Sequence, residues 1–185
     1  MGDMSEIPEA DDLEILVRHA RPGRKPQLRL WLRMLAVTKT VSQEIRGRLR
    51  AAYGATLPQF DLLAQLYREP AGLRLGELSR RTMVTNGNIT GLADRLEEEG
   101  LIRRDPLDGD RRVTVARLTP RGRELFAEMA RAHEGWLREL MSDVDEKTMQ
   151  AAFEALAEVK ASASRRVASA AEEAASRGSV SKRTL

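Results

Sequence analysis

The chain has 185 residues, with 31 lysines and arginines against 28 aspartates and glutamates, a formal net charge of +3 and a pI near 9.6. This length allows one domain with a hydrophobic core and a few further elements, and the absence of cysteine excludes disulfide bonds, thiolate zinc sites and a cysteine nucleophile. No stretch approaches the roughly 18 apolar residues of a membrane span, and the amino terminus is acidic, so we expect a cytoplasmic protein without membrane contact.

Residues 1–26 are predicted to form a mobile acidic arm and linker, because acidic residues cluster before Arg18 and are followed by prolines and a glycine. Residues 27–56 are predicted to form a dimerisation helix, in which apolar residues repeat at helical spacing. The repeating residues are Leu28, Trp31, Leu32, Leu35, Val41, Ile45, Leu49 and Ala52. A helix of about 25 residues spans nearly 40 Å, more than a small domain needs, so part of it is expected to pack against a second subunit.

A second helix is predicted to begin after Thr56, which is the expected cap, with Pro58 in the first turn and Gln59 reaching back to the cap. Its predicted core residues are Phe60, Leu63, Ala64, Leu66 and Tyr67. Leu73–Arg74 is predicted to add one short strand.

Two short helices separated by a turn are predicted next. Leu75 and Leu78 lie three residues apart on the inner face of the first helix, Met83–Val84 is apolar enough to fill the turn, and Thr85 or Asn86 is expected to cap the second helix. The predicted buried residues of the second helix are Ile89, Leu92, Ala93 and Leu96. Its outer face is predicted to carry Asn86, Gly87, Asn88, Thr90, Gly91, Asp94 and Arg95. Small amides, hydroxyls and glycines at this end of a helix suit close approach to base edges and phosphates.

Two features of that outer face have alternative explanations. Gly87 and Gly91 each weaken the helix by about 1 kcal/mol relative to alanine, and they either serve close approach to DNA or are simply tolerated. Arg95 either contacts DNA or pairs with Glu98 or Glu99 on its own helix.

A hairpin, or wing, is predicted to follow the second helix. Gly100 ends the helix, Leu101–Arg104 begins one strand, and Arg112–Leu118 forms its partner. The connection Asp105–Arg111 is dense in turn-forming residues.

The wing completes a winged helix-turn-helix DNA-binding domain over residues 57–122. One of Arg111 and Arg112 is expected to enter a minor groove while the other pairs with Asp110. The predicted DNA-contacting residues are Ser79, Arg80, Arg81, Thr85, Asn86, Asn88, Thr90, Arg95, Arg104, Asp110, Arg111 and Arg112.

Residues 123–160 are predicted to form carboxy-terminal dimerisation helices. Two capping boxes, Ser142 with Asp145 or Asp143 with Glu146, are available between these helices. The carboxylates of this segment fit a helix cap better than a metal site, so no metal ligand is predicted.

Residues 161–185 are predicted to be an Ala/Ser-rich helical extension or a disordered tail.

Together these elements predict a fold that is mainly α with a small β-hairpin wing, a winged helix-turn-helix domain plus a helical dimerisation region. A two-fold homodimer would place its two recognition helices about 34 Å apart, one turn of double-stranded DNA, which predicts a nearly palindromic operator.

Four segments in this order resemble the MarR family of transcriptional regulators, and the resemblance extends from about Gln27 to about Val159. The segments are Leu78–Arg81, Asn88–Glu97 with Gly100–Ile102, Asp110–Arg112 and Leu118–Gly122. Within the family, Leu30–Leu35 and Met83–Asn88 resemble a branch that controls aromatic-acid catabolism and responds to hydroxycinnamoyl-CoA thioesters. The resemblance implies an effector site between the dimer helices and the winged domain.

The hypothesis for that site is a flat acyl ring among aromatic and thioether side chains, with CoA phosphates meeting Arg29 or Arg33. The predicted effector-binding residues are Arg29, Trp31, Arg33, Met34, Phe60, His133 and Trp136. The alternative is that the apolar ones are core residues and the arginines are solvated helix charges.

The function indicated is a dimeric repressor of aromatic-acid catabolic genes, released by an aryl-CoA thioester. The alternatives are a MarR-type regulator that senses another small aromatic acid or drug-like compound, and a DNA-binding protein that responds to no ligand. An enzyme is disfavoured because the chain has no nucleotide-binding glycine loop, only two histidines, and no evident set of nucleophile, base and orienting residue. No catalytic residue and no cofactor are predicted.

Overall fold

The computed structural model describes the backbone of residues 25–82, 86–107 and 110–181. It also describes their side chains, except those of residues 86–87, 107, 110–113 and 174–181. Within these ranges the chain forms six helices and three strands. In chain order they are α1 (Pro26–Tyr53), α2 (Leu57–Arg68), β1 (Leu73–Arg74), α3 (Leu75–Arg81), α4 (Asn86–Glu98), β2 (Ile102–Leu107), β3 (Asp110–Leu118), α5 (Pro120–Leu140) and α6 (Glu146–Ser181). The predicted fold class, mainly helical with a small β wing, is confirmed. The predicted arm lies almost wholly outside the described residues.

The junction between α1 and α2 follows the sequence signals. Gly54 adopts a left-handed conformation with φ 63°, and its N–H donates to the Arg50 carbonyl at 3.0 Å. The Thr56 N–H donates to Gln59 Oε1 at 2.8 Å, and the Gln59 N–H donates to Thr56 Oγ1 at 3.4 Å, which confirms the predicted capping box.

The main core lies where α2, α3, α4, α5 and the carboxy-terminal half of α1 meet the sheet. Its fully buried side chains are Leu49, Leu62, Leu63, Leu66, Leu78, Ile89, Leu96, Ile102 and Met129. The stripe predicted along α1 is buried only in part, because Leu28 and Trp31 are exposed and Ala52 faces solvent. The first α1 residue that packs against the main core is Val41.

The sheet is antiparallel with strand order β1-β3-β2. Leu73 pairs with Ala116, and Ile102 pairs with Leu118. The prediction that Asp105–Arg111 is an irregular connection was wrong, because β2 runs to Leu107 and β3 begins at Asp110. Asp105 and Pro106 lie in β2, an edge strand of this sheet. Proline has no backbone N–H to donate, and an edge strand tolerates this because only one of its sides is hydrogen-bonded to a neighbouring strand.

The carboxy-terminal helices begin at identifiable caps. At the start of α5, Thr119 Oγ1 accepts from the Gly122 N–H at 3.0 Å and donates to the Gly100 carbonyl at 2.8 Å. At the start of α6, Asp145 accepts from the backbone N–H and the hydroxyl of Thr148 at 2.9 and 2.8 Å. Neither predicted box forms, because Asp145 itself occupies the capping position.

The described chain divides after Leu140 into two units. The second consists of α6 and the short segment before it, and α6 continues as helix through most of the Ala/Ser-rich stretch to Ser181. None of the helices in the described ranges is both long and apolar enough to cross a membrane.

Candidate nucleic-acid interface

Helices α3 and α4 form the helix-turn-helix that the sequence predicts. Leu78 of α3 and Ile89, Ala93 and Leu96 of α4 are buried, so each helix presents one face to the core and the other to solvent. The predicted turn residues Met83, Val84 and Thr85 lie outside the described residues, as does the side chain of Asn86.

The outer face of α4 carries three of the side chains that the sequence predicts to contact DNA. Asn88, Thr90 and Arg95 are exposed. In the part of the chain that the structure describes, Arg95 forms no ion pair, so the alternative pairing with Glu98 or Glu99 is not observed. A free guanidinium beside an exposed amide is the combination that binds guanine and adenine edges.

The arginines of α3 differ in their surroundings. Arg80 is exposed and lines an open pocket of about 470 Å³ with Arg74, Gly76 and Glu77. Arg81 pairs with Glu69 at 3.0 Å, although both side chains remain about two-fifths exposed. Arg80 is therefore the more available of the two predicted phosphate contacts, and Arg74 is a cation that sequence reasoning did not single out.

Arg104 points into a network within the protein. Its Nη1 donates to Asp94 Oδ1 at 2.7 Å, its Nε donates to Glu97 Oε2 at 2.7 Å, and its backbone N–H donates to Glu97 Oε1 at 2.9 Å. These hydrogen bonds hold the pKa of the Glu97 carboxyl below its usual range. The Arg104 side chain is only 25% exposed, so its geometry ties β2 to α4 rather than directing the guanidinium outward.

A second set of ion pairs anchors the base of the wing. Arg117 Nη1 lies 3.2 Å from Asp105 Oδ2, Arg103 Nη1 lies 3.3 Å from the same oxygen, and Arg117 Nε donates to the Ala71 carbonyl at 2.9 Å. The wing is thereby fixed to the loop after α2. The side chains of Asp110, Arg111 and Arg112 lie outside the described ones, so their predicted contacts stay predictions.

The predicted effector residues fall into separate places within one chain. The rings of Phe60 and His133 lie 4.9 Å apart, and the Trp136 ring lies 6.3 Å from that of Tyr53. Trp31, by contrast, is 54% exposed, and no ring contact joins it to the other aromatic residues within the described part of the chain. Ten residues separate Trp31 from Val41, about 15 Å along α1, so Arg29, Trp31, Arg33 and Met34 lie away from the core that holds Phe60.

Two charged residues that the sequence did not single out, Asp61 and Arg46, belong to the electrostatic surroundings of His133 and Asp61, respectively. Burial lowers the pKa of the His133 imidazole, and the negative charge of Asp61 opposes that shift. Burial also raises the pKa of the Asp61 carboxyl, an effect opposed by His133 and Arg46. The Asp61 carboxylate thus interacts electrostatically with the His133 imidazole and with the Arg46 guanidinium. No local sequence signal identified this grouping, because only the packing of α2 against α5 brings Asp61 near His133.

Comparisons with known proteins agree with this geometry. Residues 55–114 match the model of the MarR family. The HTH-type transcriptional regulator PapX of Escherichia coli is 31% identical over 142 residues, which cover 72% of this chain and 84% of PapX.

Solved structures show the same fold. A MarR family transcriptional regulator from Silicibacter pomeroyi is 34% identical, with a TM-score of 0.66 over 77% of this chain and 98% of that one. Sco3205 of Streptomyces coelicolor, a MarR family regulator solved in complex with DNA, is 20% identical, with a TM-score of 0.63 over 86% of this chain and 91% of its own. The sequence, the fold and these relatives together establish that the chain belongs to the MarR family of transcriptional regulators.

Proposed function

We propose that this regulator binds a specific DNA sequence through the outer face of α4. The observation that carries the proposal is that Asn88, Thr90 and Arg95 stand exposed on one helix, with Arg95 unpaired in the described structure. The remaining side of α4 is held rigidly by buried apolar residues and by the Arg104 network, so these polar groups are presented in a fixed arrangement. Rigid presentation favours base readout over adventitious charge attraction.

Phosphate contacts are assigned to cations around α4. Arg74 and Arg80 lie just before and within α3. Arg81, Arg111 and Arg112 remain in this group as predicted from the sequence, and the Ser79 hydroxyl remains a predicted uncharged contact. Such contacts orient the protein on the duplex and carry the salt dependence of binding, while α4 supplies sequence preference.

We assign dimerisation to residues 27–56 and 123–160. In support, α1 exposes Leu28, Leu30, Trp31 and Val37, more apolar surface than a solvated helix usually carries. α6, taken by itself, exposes Met149, Phe153 and Leu156 at helical spacing, with Phe153 71% exposed. A two-fold dimer covering these residues presents two α4 helices and reads a nearly palindromic operator.

The DNA proposal predicts two distinguishable losses. We expect Asn88→Ala to weaken binding to a duplex selected by the wild-type protein from a random pool about tenfold, with little change on unrelated DNA, because a base contact is lost. We expect Arg80→Ala to weaken binding to the selected duplex and to unrelated DNA alike, because a phosphate contact is lost. The slope of log affinity against log salt concentration should fall by about one. Fluorescence anisotropy at several salt concentrations measures both.

Arg138→Ala is the control for charge, since the ion pair of Arg138 within the described residues is an exposed one with Glu134, one turn earlier on α5. It should leave both affinities unchanged. Failure of the wild-type protein to enrich any sequence from the pool would remove the proposal.

For the effector, we propose an aryl-CoA thioester that releases a repressor of aromatic-acid catabolic genes from its operator, with a small aromatic acid as the alternative effector. Phe60 and His133 supply an aromatic surface, Arg46 supplies positive charge, and Asp61 accepts donors such as a phenolic hydroxyl. Trp31, Met34, Arg29 and Arg33 are too distant to complete this site in one chain, so their contribution requires a second copy. Release follows only if the ligand binds the DNA-free shape more tightly than the DNA-bound shape.

This proposal predicts that a hydroxycinnamoyl-CoA thioester releases the selected duplex, whereas the free acid and CoA, titrated separately, do not. Trp31→Ala should weaken thioester binding in calorimetry about tenfold, because a stacked aromatic ring is lost. Val37→Ala, an equally exposed position on α1, is the matched control. Release by the free acid alone supports the alternative aromatic effector, and no release by any compound supports a ligand-independent regulator.

A further inference from the structure

Gly91 occupies the centre of the outer face of α4. At about 100° per residue, it lies about 160° around the helix from Ala93 and Ile89, the two buried residues nearest to it. Gly87, one turn earlier, falls on the same line along the helix. The line of α4 farthest from the core is therefore a ridge that carries no side chain at Gly87 and Gly91, and Arg95 continues it one turn later.

Nothing within the described chain requires glycine at position 91. A Cβ built there meets no heavy atom within 4 Å, and Gly91 is not among the residues with positive φ. The contrast with other glycines is clear, since Gly100 adopts φ 69° and a Cβ on Gly122 would collide with Leu101. Glycine is nonetheless a poor helix former, so its presence in mid-helix lowers stability without a folding benefit.

The polar groups assigned to base readout border this ridge. Asn88 precedes Gly91 by three residues and Arg95 follows it by four, so both lie within about 60° of it around the helix. A helix with side chains is about 10–12 Å wide, and the major groove of DNA is about 12 Å wide, so the helix fits closely. Because Gly91 has no Cβ on the side that would face the groove, the helix backbone can lie deeper in the groove.

We infer that Gly91 is the point of closest approach of α4 to DNA and a determinant of its sequence specificity. The bare Cα lies against the floor of the major groove, where a thymine methyl or a base-pair edge fills the space that a side chain would occupy. Asn88 and Arg95 reach base edges only because this contact lets the helix sit deeply. The inference rests on the proposed DNA-binding function.

The test compares Gly91→Ala with Gly47→Ala, because Gly47 is also exposed in mid-helix with nothing within 4 Å of its Cβ position and lies ten residues beyond Val37, the last of the exposed apolar residues of α1 that support dimerisation. Size-exclusion chromatography checks that both variants keep the oligomeric state of the wild-type protein. Both substitutions should raise the melting temperature by about 2–4 °C. Only Gly91→Ala should weaken binding to the selected duplex, about tenfold or more, with unrelated DNA bound as before. Gly91→Leu should keep the thermal gain and deepen the loss.

The outcomes separate this inference from the function on which it rests. Wild-type protein that selects no sequence defeats the proposed function itself. If wild-type protein selects a sequence but Gly91→Ala binds that duplex equally well, the inference about Gly91 is wrong and the proposed function stands. A lower melting temperature for Gly91→Ala also overturns it, since the glycine would then serve packing within the protein.

Discussion

Replacing Gly122 with alanine is expected to destabilise the fold by roughly 3 kcal/mol or more. A Cβ at this position would lie 1.9 Å from the Leu101 carbonyl oxygen and 2.8 Å from its carbon. These are backbone atoms, and that oxygen also accepts from the Thr119 N–H at 3.0 Å. Relief of the clash therefore requires separating the start of α5 from the end of α4. Urea unfolding followed by circular dichroism measures the loss.

Gly135→Ala is the control, because Gly135 lies on the same helix and a Cβ there meets nothing within 4 Å. It should be neutral or slightly stabilising. Equal unfolding midpoints for the two variants would show that the start of α5 moves away from Leu101 without cost. The close contact between Gly122 and Leu101 would then not limit stability.

Local signals predicted the helices well because caps and periodicity act over a few residues. Thr56 with Gln59 and the apolar spacing of α4 each identify an element without knowledge of its neighbours. The wing boundaries were mispredicted because strand pairing outweighs turn propensity. Asp105 and Pro106 favour turns, yet both pair with residues of β3.

The candidate site was predictable in its location and less so in the role of each residue. The polar face of α4 follows from helical spacing, whereas the partners of a given arginine depend on which strand crosses that helix. Arg104 lies ten residues beyond Asp94, and only the fold of β2 against α4 brings them to 2.7 Å. The grouping of Asp61 with His133 likewise depends on the packing of α2 and α5, not on a local motif.

Arg104→Met is expected to weaken binding to the selected duplex about tenfold or more, through two effects. The tie between β2 and α4 is lost, and Asp94 and Glu97 keep negative charges without compensation on the helix that we propose to bind DNA. The sequence alone predicted Arg104 as a direct DNA contact, and anisotropy at several salt concentrations distinguishes the two roles. A lost phosphate contact lowers the salt slope by about one, and the slope stays low when neighbouring charges are removed, whereas a change of slope caused by uncompensated Asp94 and Glu97 is reversed when those two charges are neutralised.

The control for this change is Arg103→Met on the same strand, where the side chain is 61% exposed and, among the described residues, pairs with Asp105, which Arg117 continues to hold. An exposed pair of this kind contributes little, so affinity should change by less than about threefold. Adding Asp94→Asn and Glu97→Gln to Arg104→Met should recover part of the lost affinity, because the uncompensated charges disappear while the tie remains broken. A reduced salt slope without such recovery would restore Arg104 to the DNA interface, and the network with Asp94 and Glu97 would then describe only the DNA-free protein.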